Sequence, residues 1–354
     1  MADYYFSLPL FDDLNDSQKA AVRESKAIGL SGGPGTGKSV VSLWRHIINH
    51  TKENPTKSQL LTFTTTLAYY LKSCCKTQNK NSADSVDSTL NWYYNHRANK
   101  EEIIIDEAQD MPIEFNKNLL NLTKSVSYGA DNQQILKANA FNTDGSYNLN
   151  ECSPEENLSE LLENPIHKLD KNYRSTQRIM KFAKQFFQNA FIHHQIIEGL
   201  ADKIGDYPRM LITNGNVKKQ NEAVINIIRQ YNADSAINIA VLLPFANMPW
   251  PGTEHWTANY YFELLNGTFD CSYYDNTLKG LTEIKNIHIT PFKSAKGLEF
   301  DVVIIPNFHL VNQRFRVVNW RDFFVGVTRA KSQLILLSDI DIPLVNQYVE
   351  KVIL

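Results

Sequence analysis

The chain has 354 residues, 43% of them hydrophobic and 11% aromatic, enough for about two domains of ordinary size with full cores. Its 36 Lys and Arg nearly balance its 38 Asp and Glu, so no overall basic field announces a polyanion; such a site must be a local patch or rely on backbone donors. Cys74, Cys75, Cys152 and Cys271 show no C-x-x-C spacing, which speaks against a zinc site and for free thiols in a reducing compartment.

In chain order, the opening residues lack a basic stretch followed by an apolar core, and no run approaches membrane-spanning length. A cytoplasmic protein with no membrane partner is expected. Leu14 to Val22 reads as a capped helix, with Asn15 or Asp16 as cap. About a dozen residues before the next strand, Gln18 is a candidate to read an adenine edge, because a carboxamide offers a donor and an acceptor together.

Ile28 to Ser39 reads Ile-Gly-Leu-Ser-Gly-Gly-Pro-Gly-Thr-Gly-Lys-Ser. Gly32, Gly37, Lys38 and Ser39 fit the G-x-x-x-x-G-K-[ST] phosphate-binding pattern, and Gly33, Gly35 and Thr36 complete the loop. Glycines let backbone N–H groups turn toward phosphate oxygens, Lys38 reaches the β- and γ-phosphates, and the Ser39 hydroxyl can ligate Mg²⁺. A short strand from Ala27 to Leu30 leads in and a helix from Val40 to Asn49 leads out, its N-terminal dipole facing the anion. ATP and Mg²⁺ are the implied ligands.

Ser58 to Tyr70 reads as a strand, a Thr-rich turn and the start of a helix. Its hydroxyls, Thr64 among them, suit a sugar–phosphate backbone, and Phe63 could stack near a base; equally, the threonines could simply cap the following helix. Glu101 to Asp110 places three isoleucines, read as a buried parallel strand, before two adjacent carboxylates at the edge where α/β sheets bind ligands. Beside a phosphate loop, Asp106 can hold the Mg²⁺ shell, and Glu107 can orient and deprotonate a water for attack on the γ-phosphate.

Gln18, Gly33 to Ser39, Leu61 to Thr65 and the string Asp106-Glu107-Ala108-Gln109-Asp110 together resemble the opening motifs of UvrD/Rep-type superfamily 1 DNA helicases. The resemblance implies that Arg45 contacts the adenine. Further motifs follow in the family's order. Ser127 to Ile135 is similar to the third, implying Gln133 as a γ-phosphate sensor. Leu169 to Ser175 matches the Asn-Tyr-Arg-Ser segment, implying that Tyr173 stacks on the base and Arg174 bonds the γ-phosphate. Ala295 to Asp301 is similar to the fifth, with Gly297 in its Lys-Gly-Leu-Glu-Phe core and Glu299 implied at the ribose. Val325 to Ala330 is similar to the sixth, implying Arg329 as the arginine finger. Thr89 to Trp92 stands where the family has a Thr-Phe-His segment, making Thr89 a DNA-contact candidate.

Val302 to Pro306, Leu334 to Leu337 and Ile237 to Leu243 read as central strands, and Ala223 to Tyr231 as a one-faced helix. The expected fold is α/β, two RecA-like P-loop NTPase domains with mainly parallel sheets and ATP between them. Residues 1–165 would form the first and 166–354 the second, with the boundary near Pro165.

The chain also departs from the family. Ala130 replaces an aspartate, Thr65 and Thr66 replace Asn-Lys, and Lys293 stands where histidine is usual. Only about thirty residues separate Leu71 from Glu101, with Ser82 to Ser88 read as polar turn material, so the bulky inserted subdomains are missing. Trp250 to Tyr274 is rich in aromatics; Trp256 to Leu265 reads as an amphipathic helix feeding rings into the core rather than a base-stacking surface.

The leading expectation is an ATP-dependent translocase or helicase moving 3′ to 5′ on single-stranded DNA. The alternative is a nucleotide- or DNA-sensing regulatory ATPase subunit acting with a partner such as a nuclease, as in antiviral defence systems.

Overall fold

A computed structural model describes Tyr4 and residues 8–51, 57–137, 139–190, 192, 194–247, 250–274, 283–313 and 315–354. Most of the opening stretch read for a leader lies outside the described residues. The chain divides into two compact units, Phe6–Tyr173 and Arg174–Leu354, the second including Tyr4.

Among its described residues the first unit is built on six strands: β1 (Gly29–Ser31), β2 (Ser58–Thr62), β3 (Val86–Ser88), β4 (Glu102–Asp106), β5 (Val126–Ala130) and β6 (Ile166–Lys168). Their order is β3-β2-β4-β5-β1-β6, and every pairing is parallel. Alternation along the strands sorts side chains to two faces. Leu60 and Ile104 join one buried cluster with Val41, Leu43 and Ile47. Leu61, Ile103 and Ile105 join another with Leu119 and Leu158. Each such buried side chain contributes roughly 1.5–3 kcal/mol relative to exposure. Helices α1 (Asp16–Arg23), α2 (Lys38–Asn49) and α3 (Thr65–Gln78) follow the expected positions.

Two details of this unit differ from the sequence reading. Ser82 to Ser88 is not simply turn: after a short helix, Lys80–Ala83, Val86 pairs with Leu60 and Ser88 with Thr62 as an edge strand. Polar residues suit an edge, where one side of the strand meets water. Ile166–Lys168 lies past the expected boundary at Pro165, yet it pairs with β1, and the division falls after Tyr173.

Among its described residues the second unit holds seven strands: β7 (Arg209–Ile212), β8 (Ile239–Leu243), β9 (Ser272–Tyr273), β10 (Ile287–Pro291), β11 (Phe300–Ile305), β12 (Ala330–Ser338) and β13 (Glu350–Ile353). They run β13-β7-β12-β11-β8-β10-β9, again all parallel. Val224, Ile227 and Ile228 of the helix Val217–Tyr231 pack with Ile239, Val241, Ile304 and Ile335. The expected fold class, two α/β units with parallel sheets, is what the chain adopts.

Tyr261 and Leu265 of the helix Ala258–Asn266 are fully buried, as the amphipathic reading requires. Trp250 is not: it is 51% exposed and stacks on Phe315. All four cysteines are free and buried. Among the described residues no helix is long and apolar enough to cross a membrane.

Candidate functional site

Because all six strands of the first unit point the same way, their carboxyl ends share one edge. Ser31 is level with Ala130 and Lys168, and Thr62 is level with Asp106. The phosphate-type loop, Phe63, the Asp106–Glu107 pair, the 131–134 turn and the 169–173 segment therefore all leave the sheet on the same side.

Residues 32–37 link β1 to α2, whose first residue is Lys38. Gly37 has φ 92, and a β-carbon there would come within 2.4 Å of Gln18 Nε2. Only glycine meets both conditions without strain. The buried Lys38 ammonium donates to the carbonyls of Gly32 (2.6 Å) and Gly33 (3.2 Å) and lies 3.8 Å from the Asp131 carboxylate. The Thr36 hydroxyl donates to the Gly33 carbonyl. Ser39 is half-buried at the first turn of α2.

Gly129 of β5 marks where β4 meets this helix. A β-carbon there would lie 3.3 Å from Asp106 Oδ1 and 3.6 Å from Lys38 Cβ. The missing side chain lets the Asp106 carboxylate approach the start of α2. Glu107 is held in the left-handed region at φ 62, a conformation that costs a non-glycine residue about 1–3 kcal/mol. Its carboxylate accepts from Gln109 Nε2 at 2.5 Å. Gln133 sits in the turn Asn132–Gln134, its backbone N–H donating to Asp131 Oδ1.

The segment 169–173 runs along the loop. Leu169 N–H donates to the Ser31 carbonyl and Tyr173 N–H to the Gly35 carbonyl, both at 2.8 Å. Asn172 Nδ2 donates to the Pro34 carbonyl at 2.9 Å. The Tyr173 ring is 41% exposed, and its hydroxyl accepts from Asn15 Nδ2. Asn15 caps α1 in a reciprocal box with Gln18. The structure thus brings Gln18, Tyr173 and the glycine loop together.

Arg45 is not part of this cluster, and its implied contact with the adenine is not supported. It lies seven residues along α2 from Lys38, roughly 10 Å of helix rise. Its buried guanidinium donates to Glu102 (2.7 Å) and to the carbonyls of Glu24 (2.7 Å) and Lys26 (2.8 Å). Glu102 also accepts from Asn49 Nδ2 and Ser127 Oγ. This is a structural network, whose only sequence signal was a charged residue on each of two buried elements.

The threonines proposed for DNA contact are turned inward. Thr64 is buried and its hydroxyl accepts from Leu67 N–H, capping α3. Thr89 is fully buried and donates to the Thr62 carbonyl at 2.9 Å. For Thr64 the helix-capping alternative is the one observed. Phe63 is half-buried, with the Lys137 ammonium 5.8 Å from its ring centre.

In the second unit, Arg174 pairs with Glu299 at 3.0 Å and donates to the Thr328 carbonyl. Burial pushes the Glu299 carboxyl up, but the Arg174 and Lys331 charges outweigh it and hold it below its ordinary value. Gly297 has φ 83 in the turn before β11. Tyr4, which the sequence reading did not single out, donates its hydroxyl to the Glu299 carbonyl. Arg329 is 1% exposed and donates to the carbonyls of Val325 and Leu298 and to the Thr328 hydroxyl.

Residues 18–137 match the family described as AAA domain, a segment well short of half the chain. The chain is similar to the C-terminal domain of a possible DNA helicase from Lactobacillus plantarum, at 19% identity and a TM-score of 0.36, over 51% of this chain and 98% of that one. It is also similar to Arterivirus nonstructural protein 10, a helicase, at 12% identity and a TM-score of 0.42, over 93% of this chain and 63% of that one. The chain therefore spans less than two thirds of the viral protein. No curated protein matches.

Proposed function

We propose that the chain is a nucleic-acid-dependent ATPase of the helicase kind, moving 3′ to 5′ on single-stranded DNA. The observation that carries this reading is the convergence of Lys38, Asp106 and the glycine loop around Gly129 at one sheet edge. The AAA domain match covers the same residues. Charge and donors suited to a triphosphate lie on one side, with two carboxylates beside them.

In this reading the loop N–H groups and Lys38 hold the phosphates, which requires the ammonium to exchange the Gly32 and Gly33 carbonyls for phosphate oxygens. Ser39 and Asp106 would hold Mg²⁺, since a hydroxyl and a carboxylate are the oxygen donors this hard ion takes. When bound, the ion neutralises charge on the phosphates. Glu107 takes the proton of the attacking water, and Gln133 senses the terminal phosphate. Tyr173, beside the loop, stacks on the base. Glu299 and Gly297 serve the ribose, and Arg174 and Arg329 supply cationic forks as charge builds in phosphoryl transfer. Both arginines must first leave their present acceptors, which makes hydrolysis conditional on rearrangement. Of the DNA candidates, Phe63 is the one whose ring remains partly accessible.

The test is ATP turnover with and without single-stranded DNA, beside an unwinding assay on a 3′-tailed duplex. Turnover indifferent to DNA would sink the reading.

A second reading, a regulatory ATPase subunit working with a partner such as a nuclease, has its own support. The stretch between β2 and β4 forms α3, a short helix and the edge strand β3 of the same sheet. It leaves no separate subdomain there among the described residues. DNA-stimulated turnover without unwinding, and co-elution with a partner, would favour this reading; unwinding by the isolated chain would dismiss it.

A further inference from the structure

Glu155 belongs to none of the sequence motifs. It is the first residue of the helix Glu155–Leu162, where a carboxylate is favoured by the helix dipole. Its two oxygens do different work. Oε2 accepts from the hydroxyl of Ser31, the last residue of β1 and the point where the glycine loop begins. Oε1 accepts from the Asn132 N–H at 3.3 Å, and Asn132 Oδ1 accepts in return from the Glu155 N–H at 2.9 Å. The Asn132 amide also reaches Glu156 at 3.1 Å.

These bonds close a circuit. Ser31 is joined through Glu155 to Asn132. The turn that Asn132 opens carries Gln133 and is capped by Asp131. Asp131 lies 3.8 Å from the Lys38 ammonium, and Lys38 returns to the carbonyl of Gly32, next to Ser31. Besides Glu155, the weaker Lys38–Asp131 approach and the β1–β5 ladder join the loop and the sensor turn. A ligand that draws Lys38 toward phosphate loosens that approach and leaves more of the spacing to the Glu155 bonds.

We infer that Glu155 is a positioning residue that sets the spacing between the phosphate loop and the Gln133 turn during turnover. This inference rests on the ATPase reading above. A residue with this task matters after nucleotide has bound, so its loss lowers kcat more than it raises KM.

The experiment compares Glu155→Ala, Glu155→Gln and Asn132→Ala in the full chain, measuring DNA-stimulated ATP turnover, KM for ATP and thermal unfolding by circular dichroism. Glu155→Ala and Asn132→Ala are expected to lower kcat about tenfold or more with KM within about threefold, the pattern of an interaction exercised beyond ground-state binding. Glu155→Gln should restore most of the rate, since an amide can accept from Asn132 N–H and donate to the Ser31 hydroxyl. If Glu155→Ala does not fold, Ser31→Ala, which removes the hydroxyl donor to Oε2, is measured in its place and decides. Normal kcat in the folded alanine variants, or losses confined to KM, or a rate that merely tracks thermal stability with no rescue by Gln, would overturn the inference while leaving the ATPase reading intact. A wild-type chain without ATP turnover, and with ATP binding indifferent to Lys38→Ala, would instead remove the reading and the inference together.

Discussion

Gln18 holds the Thr36 carbonyl through its Nε2 at 3.2 Å, while its Oε1 accepts from the Asn15 N–H at 3.1 Å. Both ends of the carboxamide are thus used to wedge α1 against the glycine loop. A carboxamide at this position suits an adenine edge; the observed geometry gives Gln18 a loop-supporting role as well. The two roles separate in a nucleotide comparison. Gln18→Ala is expected to weaken ATP and GTP binding alike, by about 1 kcal/mol, the scale of one buried neutral hydrogen bond. A loss confined to ATP would show that the base-reading role dominates.

Arg45 and Glu102 offer a sharper contrast. A buried ion pair is costly to break because the surviving partner is left charged and dry. Arg45→Ala should therefore destabilise the fold by about 3–5 kcal/mol, seen in denaturant unfolding. Any protein that remains folded should bind ATP with wild-type affinity. An adenine-specific loss of affinity without a loss of stability would restore the role that the family resemblance implied.

How much of this was legible depends on the kind of signal. Ile103 to Asp106 announces a buried parallel strand and its exit, because three apolar β-branched residues followed by carboxylates have few other uses. The glycine loop is equally plain, since Gly37 must combine φ 92 with the closeness of Gln18. The partners of Arg45 and Glu155 are not legible because they are distant in sequence: 57 positions separate Arg45 from Glu102, and 124 separate Ser31 from Glu155. Hydrogen-bond partners across a sheet leave no periodicity to read. Ser82 to Ser88 failed for the opposite reason. Its polar composition is that of a turn, and only the register with β2 makes Val86 to Ser88 a strand.

Glu107 is held at φ 62 with its carboxylate bonded to Gln109. That placement suits a base whose direction matters more than its freedom. Glu107→Gln keeps the size and the hydrogen-bonding reach but not the basicity. It should bind ATP normally and lose turnover by about 10²–10⁴-fold, the usual share of a general base. Lys38→Ala, in contrast, should abolish tight binding, because no other cation donates to the loop carbonyls among the described contacts. Near-normal turnover by Glu107→Gln, read in a steady-state ATPase assay, would remove Glu107 from the role of base.

Acid should destabilise the protein from about neutral pH downward, and two buried histidines say why. His46 lies between the Ser58 hydroxyl and the Ser82 carbonyl in the first unit. His288 meets the Ser272 hydroxyl in the second. Burial lowers each from 6.5 to about 3. Between those values the unfolded chain binds protons that the folded chain refuses. Their contribution is complete above about pH 6.5 and is lost as pH falls, at about 1.4 kcal/mol for each pKa unit and histidine. Asp322 acts in the other direction. Burial raises it from 3.8 to about 6, so its protonation favours the fold as pH falls through that range. Two histidines displaced that far outweigh one carboxyl, and melting temperature should drop between pH 7 and pH 5. His46→Gln and His288→Gln should each flatten the dependence, since an amide keeps a polar partner for the serines without titrating. A pH profile unchanged in both variants would show that other groups control acid stability.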